Sequence, residues 1–274
     1  SKQTRTLGLL INDLHNPYFP GVADGVKQAA DRRGYRLLLN SAFLDDDDER
    51  AALETFIDFR VDGIILTGAR MPAPVIERAA ASTPIVVVSR PMRSAALDTI
   101  NNDDRLGATF AIEHLVELGH RQISHIDGGR GAGAAQRRAG YEATMRKHGL
   151  EPHVLSGAFT ESSGAKAAQR ALTSGRPVTA IFAGNDLSAL GALDAIEEAG
   201  LTVPDDISLV GYDNTFVAAL RHVALTTVDQ ARERLGELAI EALIERIECG
   251  RTEAVHHVIA PSLVIRHTTA PPRQ

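Results

Sequence analysis

The stretch from Leu7 to Asn40, LGLLINDLHNPYFPGVADGVKQAADRRGYRLLLN, decides the fold. It opens on an unbroken apolar run, Leu7–Ile11, and closes on another, Tyr35–Asn40. Between them Phe19, Val22, Ala23, Val26, Ala29 and Ala30 recur at three- and four-residue spacing. Continuous apolar runs suit strands covered on both faces, and the spacing between them paints one buried stripe on a helix. Gly34 supplies the stop signal, Asn16 stands where an N-cap belongs, and Pro17 sits where a first-turn proline is tolerated. The unit is strand, helix, strand, and its two strands are expected to run parallel.

Outward from this unit the scheme continues. Gly63–Thr67 and Pro84–Ser89 read as two more strands of a first lobe. After Asp98–Asp104 the design repeats, with strands expected at Gln122–Asp127, His153–Ala158, Thr179–Ala183 and Ile207–Tyr212 and three helical stretches between them. The helix Leu187–Ala199 shows a core face through Ala189, Ala192, Leu193 and Ile196, and Gly200 ends it. Beyond Tyr212 come an extended Leu225–Val228, a long amphipathic helix Ala231–Cys249, and short strands at Val255–Ile259 and Leu263–Ile265. These are too few for a third domain and are expected to complete each lobe in turn. The expected fold is therefore α/β, with two Rossmann-like parallel-sheet lobes joined by several short crossings and no Gly/Ser linker.

The totals narrow the function. A chain of 274 residues, 44% hydrophobic, can bury two interiors of ordinary size. With 29 Lys+Arg against 35 Asp+Glu and a net charge of −6, it lacks the electrostatic footprint that phosphate contacts require, and alone it should not grip DNA. The single Cys249 allows neither an internal disulfide nor a thiolate metal site, which favours a reducing cytoplasm. The opening Ser1–Thr6 has no apolar signal-peptide core, and no later run approaches the roughly eighteen apolar residues of a membrane span. A soluble protein without membrane contact is expected.

In open parallel sheets ligands bind beyond the carboxyl ends of the strands, where loops and helix N-termini converge. That rule selects Asp13, Asn16-Pro17-Tyr18-Phe19, Gly68-Ala69-Arg70 and Ser89-Arg90 in the first lobe. In the second it selects Gly128–Arg138, Phe159-Thr160, Gly184-Asn185-Asp186 and Asp213-Asn214. Asn, Asp and Arg with aromatic faces can hydrogen-bond several hydroxyls while a ring stacks on the apolar side of a sugar-like or nucleoside-like ligand. Structural readings stand beside these. Asn16 serves equally as a helix cap; Phe19 is expected inside and Tyr18 nearer the cleft; Asp186 is expected to cap its helix; and of the neighbours Arg137 and Arg138 at most one should face a ligand.

The run Asp45-Asp46-Asp47-Asp48-Glu49 precedes a helical stretch, where acidic side chains favour the positive helix end, so it is read as helix-supporting rather than metal-binding. Gly129–Ala134 matches a degenerate dinucleotide fingerprint, G-x-G-x-x-A, but the next strand ends in Ser156-Gly157-Ala158-Phe159 without the acidic residue such sites use. There is no G-x-S-x-G elbow, no H-E-x-x-H and no P-loop, and the ten histidines form no ligand-spaced pair on a helix face. No catalytic residue and no cofactor is assigned, and the chain is read as not an enzyme.

A family resemblance rests on several ordered stretches: Leu7–Ile11 with Asn16–Phe19; Arg60-Val61-Asp62-Gly63-Ile64-Ile65; Glu113-His114-Leu115 through Leu118–Ile123; Arg137-Arg138-Ala139-Gly140-Tyr141; Ala183–Asp186; Val203–Asp213; and Leu225–Gln230. Over nearly its whole length the chain resembles the effector-binding domain of the LacI/GalR repressors, whose fold is the type I periplasmic binding protein fold. The resemblance implies three crossovers, a first lobe of residues 6–101 plus 230–252, and a second of 102–229 plus 253–274. It implies ligand contacts at Tyr18, Phe19, Ser89, Phe159, Arg137, Asn185 and Asp213; Asp13, Arg70 and Gln230 complete the candidate set. The implied function is sensing of a small polar effector (sugar, sugar phosphate or nucleoside-like) in a cleft that closes between the lobes of a cytoplasmic homodimer. Operator DNA would be reached only through an N-terminal helix-turn-helix domain that this chain lacks, and Ser1 is read as a truncation point. Ser89 stands where relatives often carry an acid, and Arg70 adds a cation, so an anionic effector is a further hypothesis. The rival reading is a periplasmic solute-binding protein of a transporter.

Overall fold

The computed structural model describes residues 4–42 and 45–273; Ser1, read above as a truncation point, lies outside them. The chain divides into two compact units, residues 1–102 with 231–259 and residues 103–230 with 260–274, so it crosses between them three times.

Unit one holds β1 (Thr6–Ile11), α1 (Tyr18–Arg32), β2 (Arg36–Ser41), α2 (Asp46–Asp58), β3 (Gly63–Thr67), α3 (Ala73–Ala80), β4 (Ile85–Val88), β5 (Asp98–Asn102), α8 (Arg232–Cys249) and β11 (His256–Ile259). Its six strands run in the order β11-β5-β4-β3-β1-β2, and every pairing is parallel. The strand alternation sorts β1 between two cores. Leu7, Leu9 and Ile11 pack with Val22 and Val26 of α1 and Ile240 and Leu243 of α8. Leu10 packs on the opposite face with Leu53 and Phe56 of α2 and Ile76 of α3, where Gly8 makes room: a Cβ there would lie 2.7 Å from the Phe56 ring.

Helices α1 and α8 meet through glycine. A Cβ on Gly25 would lie 2.1 Å from the carbonyl oxygen of Glu233, and one on Gly236 would lie 2.3 Å from that of Val22. Backbone oxygens cannot swing aside as a side chain can, so a larger residue must push the helices apart. Gly25→Val is expected to destabilise unit one by about 1–3 kcal/mol, read as a lowered urea midpoint at unchanged slope. A midpoint equal to that of the unsubstituted chain would disprove the close approach.

Unit two holds α4 (Asp104–Glu117), β6 (Ile123–Ile126), α5 (Ala134–Lys147), β7 (His153–Leu155), α6 (Glu161–Thr173), β8 (Ala180–Ala183), α7 (Asp186–Glu198), β9 (Ser208–Asp213), β10 (Thr226–Asp229) and β12 (Ser262–Val264). Its order is β12-β10-β9-β8-β6-β7, parallel except for the antiparallel β10–β12 pair. One face is covered by α6 and α7 over Ile126, Ile181 and Leu209; the other by α4 and α5 over Phe182, Val210 and Tyr212.

Three expectations need correction. Residues 253–259, assigned to the second lobe, instead end in β11, which pairs with β5 in unit one. Gln230, placed in the first lobe, belongs to unit two, where its side chain bonds Asp213. A strand at 98–102 was not anticipated, yet β5 is buried throughout. Its sequence, Asp-Thr-Ile-Asn-Asn, offers one apolar residue; what lets it enter the sheet is that Asp98 meets Arg246 and Arg251, and Thr99 meets His256. Among the described residues, no helix is long and apolar enough to cross a membrane, and no group of three His, Cys, Asp or Glu is arranged to hold a metal.

Candidate functional site

The strongest convergence of candidate residues is at the carboxyl ends of the strands of unit two. Arg137, in the first turn of α5, is 4% exposed. Its Nε donates to Asp104 Oδ1 at 2.8 Å, and its Nη1 donates to the Gly184 carbonyl at 2.7 Å and lies 3.6 Å from Asp213 Oδ1. The guanidinium carbon sits 3.9 Å from the centre of the Tyr212 ring and 5.1 Å from that of Phe159. Burial pulls the guanidinium toward its neutral form, but Asp104 and Asp213 outweigh burial and hold its pKa above the usual arginine value. The Nη2 edge forms no hydrogen bond among the described residues. Arg138, its neighbour, is half-exposed and pairs with Glu142 and Asp127, so of the two only Arg137 joins the cluster.

Asp213 ends β9 with φ +115°, and Asn214 follows at φ +50°, both in the region that favours glycine. The Asp213 carboxylate also accepts from Gln230 Nε2. Asn214 donates to Asp229 and accepts from Arg266. Phe159 is partly exposed and its ring lies flat against two glycines: a Cβ on Gly128 or Gly131 would lie 2.0 or 2.3 Å from it. The glycine run that resembles a dinucleotide loop therefore makes a seat for an aromatic ring.

Asn185, not Asp186, caps α7: its Oδ1 accepts from Ser188 N–H at 2.9 Å and Ser188 Oγ returns the bond in a capping box. Asn185 Nδ2 reaches the Phe159 carbonyl at 3.4 Å. Asp186 is fully buried and accepts from Thr215 N–H, Thr215 Oγ1 and Thr227 Oγ1 at 2.7, 2.8 and 2.6 Å, tying the segment after Asp213 to the start of α7.

In unit one, Tyr18 Oη lies 2.5 Å from Ser89 Oγ, and the Tyr18 and Phe19 rings meet edge to face at 5.2 Å. Tyr18 and Phe19 are both buried, at 4% and 6% exposed, with the Tyr18 hydroxyl against Ser89. Phe19 packs over Gly68, where a Cβ would lie 2.7 Å from its ring. Asn16 was expected to cap α1, but the N-cap is Pro17; Asn16, one residue ahead of it, accepts from Tyr18 N–H through Oδ1 at 3.0 Å. Ser89 holds φ +62°. Asp13 accepts from His15 N–H, and the Arg70 side chain lies 3.8 Å from Asp46. The structure thus joins Tyr18, Phe19 and Ser89, while Asp13 and Arg70 are held by other neighbours.

Sequence reasoning missed how the loop after β3 is held. Glu49 is fully buried and its carboxylate accepts from Arg70 N–H at 2.8 Å and Met71 N–H at 2.6 Å; burial raises its pKa and those two bonds oppose the rise. Arg90 binds the carbonyls of Ala69 and Met71 at 3.0 and 2.6 Å, so the loop after β3 is gripped from both sides. The remainder of the acidic run acts as expected for a helix start, with Asp45 accepting from the N–H groups of Asp47 and Asp48.

Two sheets of this order, with polar side chains gathered at strand ends, define a periplasmic binding protein-like domain, and the family of that description matches residues 112–269. The "HTH-type transcriptional repressor PurR" of Erwinia tasmaniensis is 34% identical over 97% of this chain and 80% of its own length. The crystal structure of a LacI transcriptional regulator from a Rhodococcus species is 37% identical with a TM-score of 0.92, covering 97% of this chain and 98% of that one. The transcriptional regulator CelR, solved as a cellobiose complex, is 28% identical with a TM-score of 0.89, covering 98% of this chain and 85% of that one. The chain belongs to the LacI family of transcriptional regulators, as its ligand-binding domain. Its relatives are repressors, not enzymes.

Proposed function

We propose that this domain senses a small, neutral or anionic polar effector of the sugar or nucleoside kind for a repressor that acts as a homodimer on operator DNA in the cytoplasm. Repressors of this family bind small effectors and operator DNA and are dimeric, and the CelR relative was solved with a disaccharide. The observation that carries the reading is the Arg137 cluster: a buried guanidinium fixed by Asp104, Asp213 and Gly184, with an aromatic ring beside it and one edge unbonded. A group so held costs little to order on binding and offers a charge-assisted donor to a hydroxyl or carbonyl oxygen. Phe159 supplies the stacking face, and Asn185, Asp213 and Gln230 the further polar contacts; in unit one Tyr18, Phe19 and Ser89 take the same part, with Asp13 and Arg70 at its margin.

The test is a thermal-shift screen of the chain with D-ribose, cellobiose, glucose 6-phosphate, sorbitol and inosine. A ligand at a hundred times its Kd stabilises by about 2.7 kcal/mol, several degrees for a domain of this size. At least one compound is expected to raise the midpoint by that much, and Asp213→Asn to remove most of the shift. No shift with any compound up to 10 mM (roughly a hundred times the weakest affinity useful to a sensor), or a shift unaltered in Asp213→Asn, would refute the assignment.

A further inference from the structure

We infer that Asp104 is a positioning residue of the effector site: it fixes the Arg137 guanidinium by its Nε side, so that only Nη2 is offered to a ligand. The inference rests on Arg137 being an effector contact. Asp104 is the first residue of α4, but it does not cap that helix; Asp103 does, accepting from Leu106 N–H at 2.9 Å. The Asp104 carboxylate is therefore available for another role, and its Oδ1 takes Arg137 Nε–H at 2.8 Å.

Three glycines make this approach possible. A Cβ on Gly133, which holds φ +81°, would lie 2.5 Å from Asp104 Oδ2; one on Gly140 would lie 2.4 Å from the Arg105 carbonyl; one on Gly107 would lie 2.2 Å from Tyr212 Oη. The first two bring the start of α5 against the start of α4. The third admits the Tyr212 ring on which the guanidinium lies, and Tyr212 Oη completes the frame by donating to the Asp104 carbonyl at 3.5 Å. The guanidinium is planar, so fixing Nε by Asp104, Nη1 by the Gly184 carbonyl and one face by Tyr212 fixes the direction of Nη2. Without Asp104 nothing holds Nε–H, and the group can turn about both its Cδ–Nε and its Nε–Cζ bonds.

The test has two arms. The first needs no ligand: rotation about the Arg137 Cζ–Nε bond is read from its side-chain nitrogen resonances by NMR. Distinct Nη1 and Nη2 signals are expected in the unsubstituted chain and a single averaged signal in Asp104→Ala. Distinct signals retained in Asp104→Ala would overturn the inference. The second arm measures affinity for whichever compound of the panel above gives the largest thermal shift. Asp104→Ala is expected to weaken it by roughly 10- to 100-fold, and Asp104→Asn, which keeps an acceptor for Nε–H without the charge, by an intermediate factor. In an Arg137→Met background, Asp104→Ala should weaken binding by less than about twofold, because its only route to the ligand is gone. A full additive loss in that background would show a general structural role instead. If no compound shifts the unsubstituted chain, the functional reading fails and the NMR arm alone decides the inference; if Asp104→Ala does not fold, Asp104→Asn is carried through both arms, with faster rotation expected and unchanged rotation and affinity overturning it.

Discussion

Replacing Arg137 with methionine will lower the unfolding free energy of the chain at neutral pH by about 3–5 kcal/mol, although methionine fills much of the same volume. The reason is what the substitution leaves behind. The Asp104 and Asp213 side chains are 10% and 3% exposed, and each lies against the guanidinium. The Gly184 carbonyl loses its donor as well. Two carboxylates, 2.8 and 3.6 Å from the missing cation, stay buried, Asp213 with the hydrogen bond from Gln230. Urea unfolding at neutral pH measures it. A loss under about 1 kcal/mol would mean that the cluster is solvated and not a built site.

The same cluster marks how far the sequence could be read. Arg137 was accessible because the strand-end rule points to the loop after β6 and the repressor-like stretch Arg137–Tyr141 points to the same residue. Asp104, its partner, lies thirty-three residues earlier and carries no local signal, since an aspartate at a helix start reads as a dipole partner. Only the glycines at 107 and 140 hint at it, because each stands inside a helix, where glycine is ordinarily disfavoured, and each turns out to face a close neighbour. That Asn185 and not Asp186 caps α7 has a similar cause. Either residue can cap a helix, and the choice is made by Ser188, which completes the box with Asn185, and by Thr215 in the loop after β9 and Thr227 in β10, which draw Asp186 into the interior.

Strands covered on both faces were legible wherever burial is achieved by apolar residues, as in Leu7–Ile11 and Gly63–Thr67, both buried almost throughout. Periodicity alone fails for β5, whose burial depends on polar partners. β11 was read as a strand but assigned to the other lobe; its side chains are mostly exposed, and pairing with β5 rather than an apolar face places it. The pairs that decide both strands come from α8 and from residues just after it, far along the chain, and no window of sequence contains them together.

Those pairs carry the second large effect. Asp98 is wholly buried, and both of its oxygens are taken: Arg246 binds them through Nε and Nη2 at 2.8 Å each, Arg251 through Nη2 and Nη1 at 2.7 and 3.1 Å, and Val255 N–H donates at 2.8 Å. Asp98→Asn keeps the shape but turns an amide N–H₂ toward guanidinium donors and removes the charge that two partly buried arginines share. The expected loss is again about 3–5 kcal/mol, with β11 detaching from β5 first, because Val255 and Arg251 tie it there. The pH dependence has a definite sign. Burial raises the Asp98 pKa, but the bonds from Arg246, Arg251 and Val255 outweigh burial and leave it below the ordinary carboxylate value. A carboxyl depressed in the folded state contributes its stability fully above the unfolded value of about 4 and loses it as pH falls through the lower folded value. Urea unfolding of the unsubstituted chain should therefore weaken below about pH 4 more steeply than that of Asp98→Asn, and the two curves should converge on acidification. Parallel curves would show that Asp98 is not ionised where it lies, and that β5 is held in its sheet by backbone pairing alone.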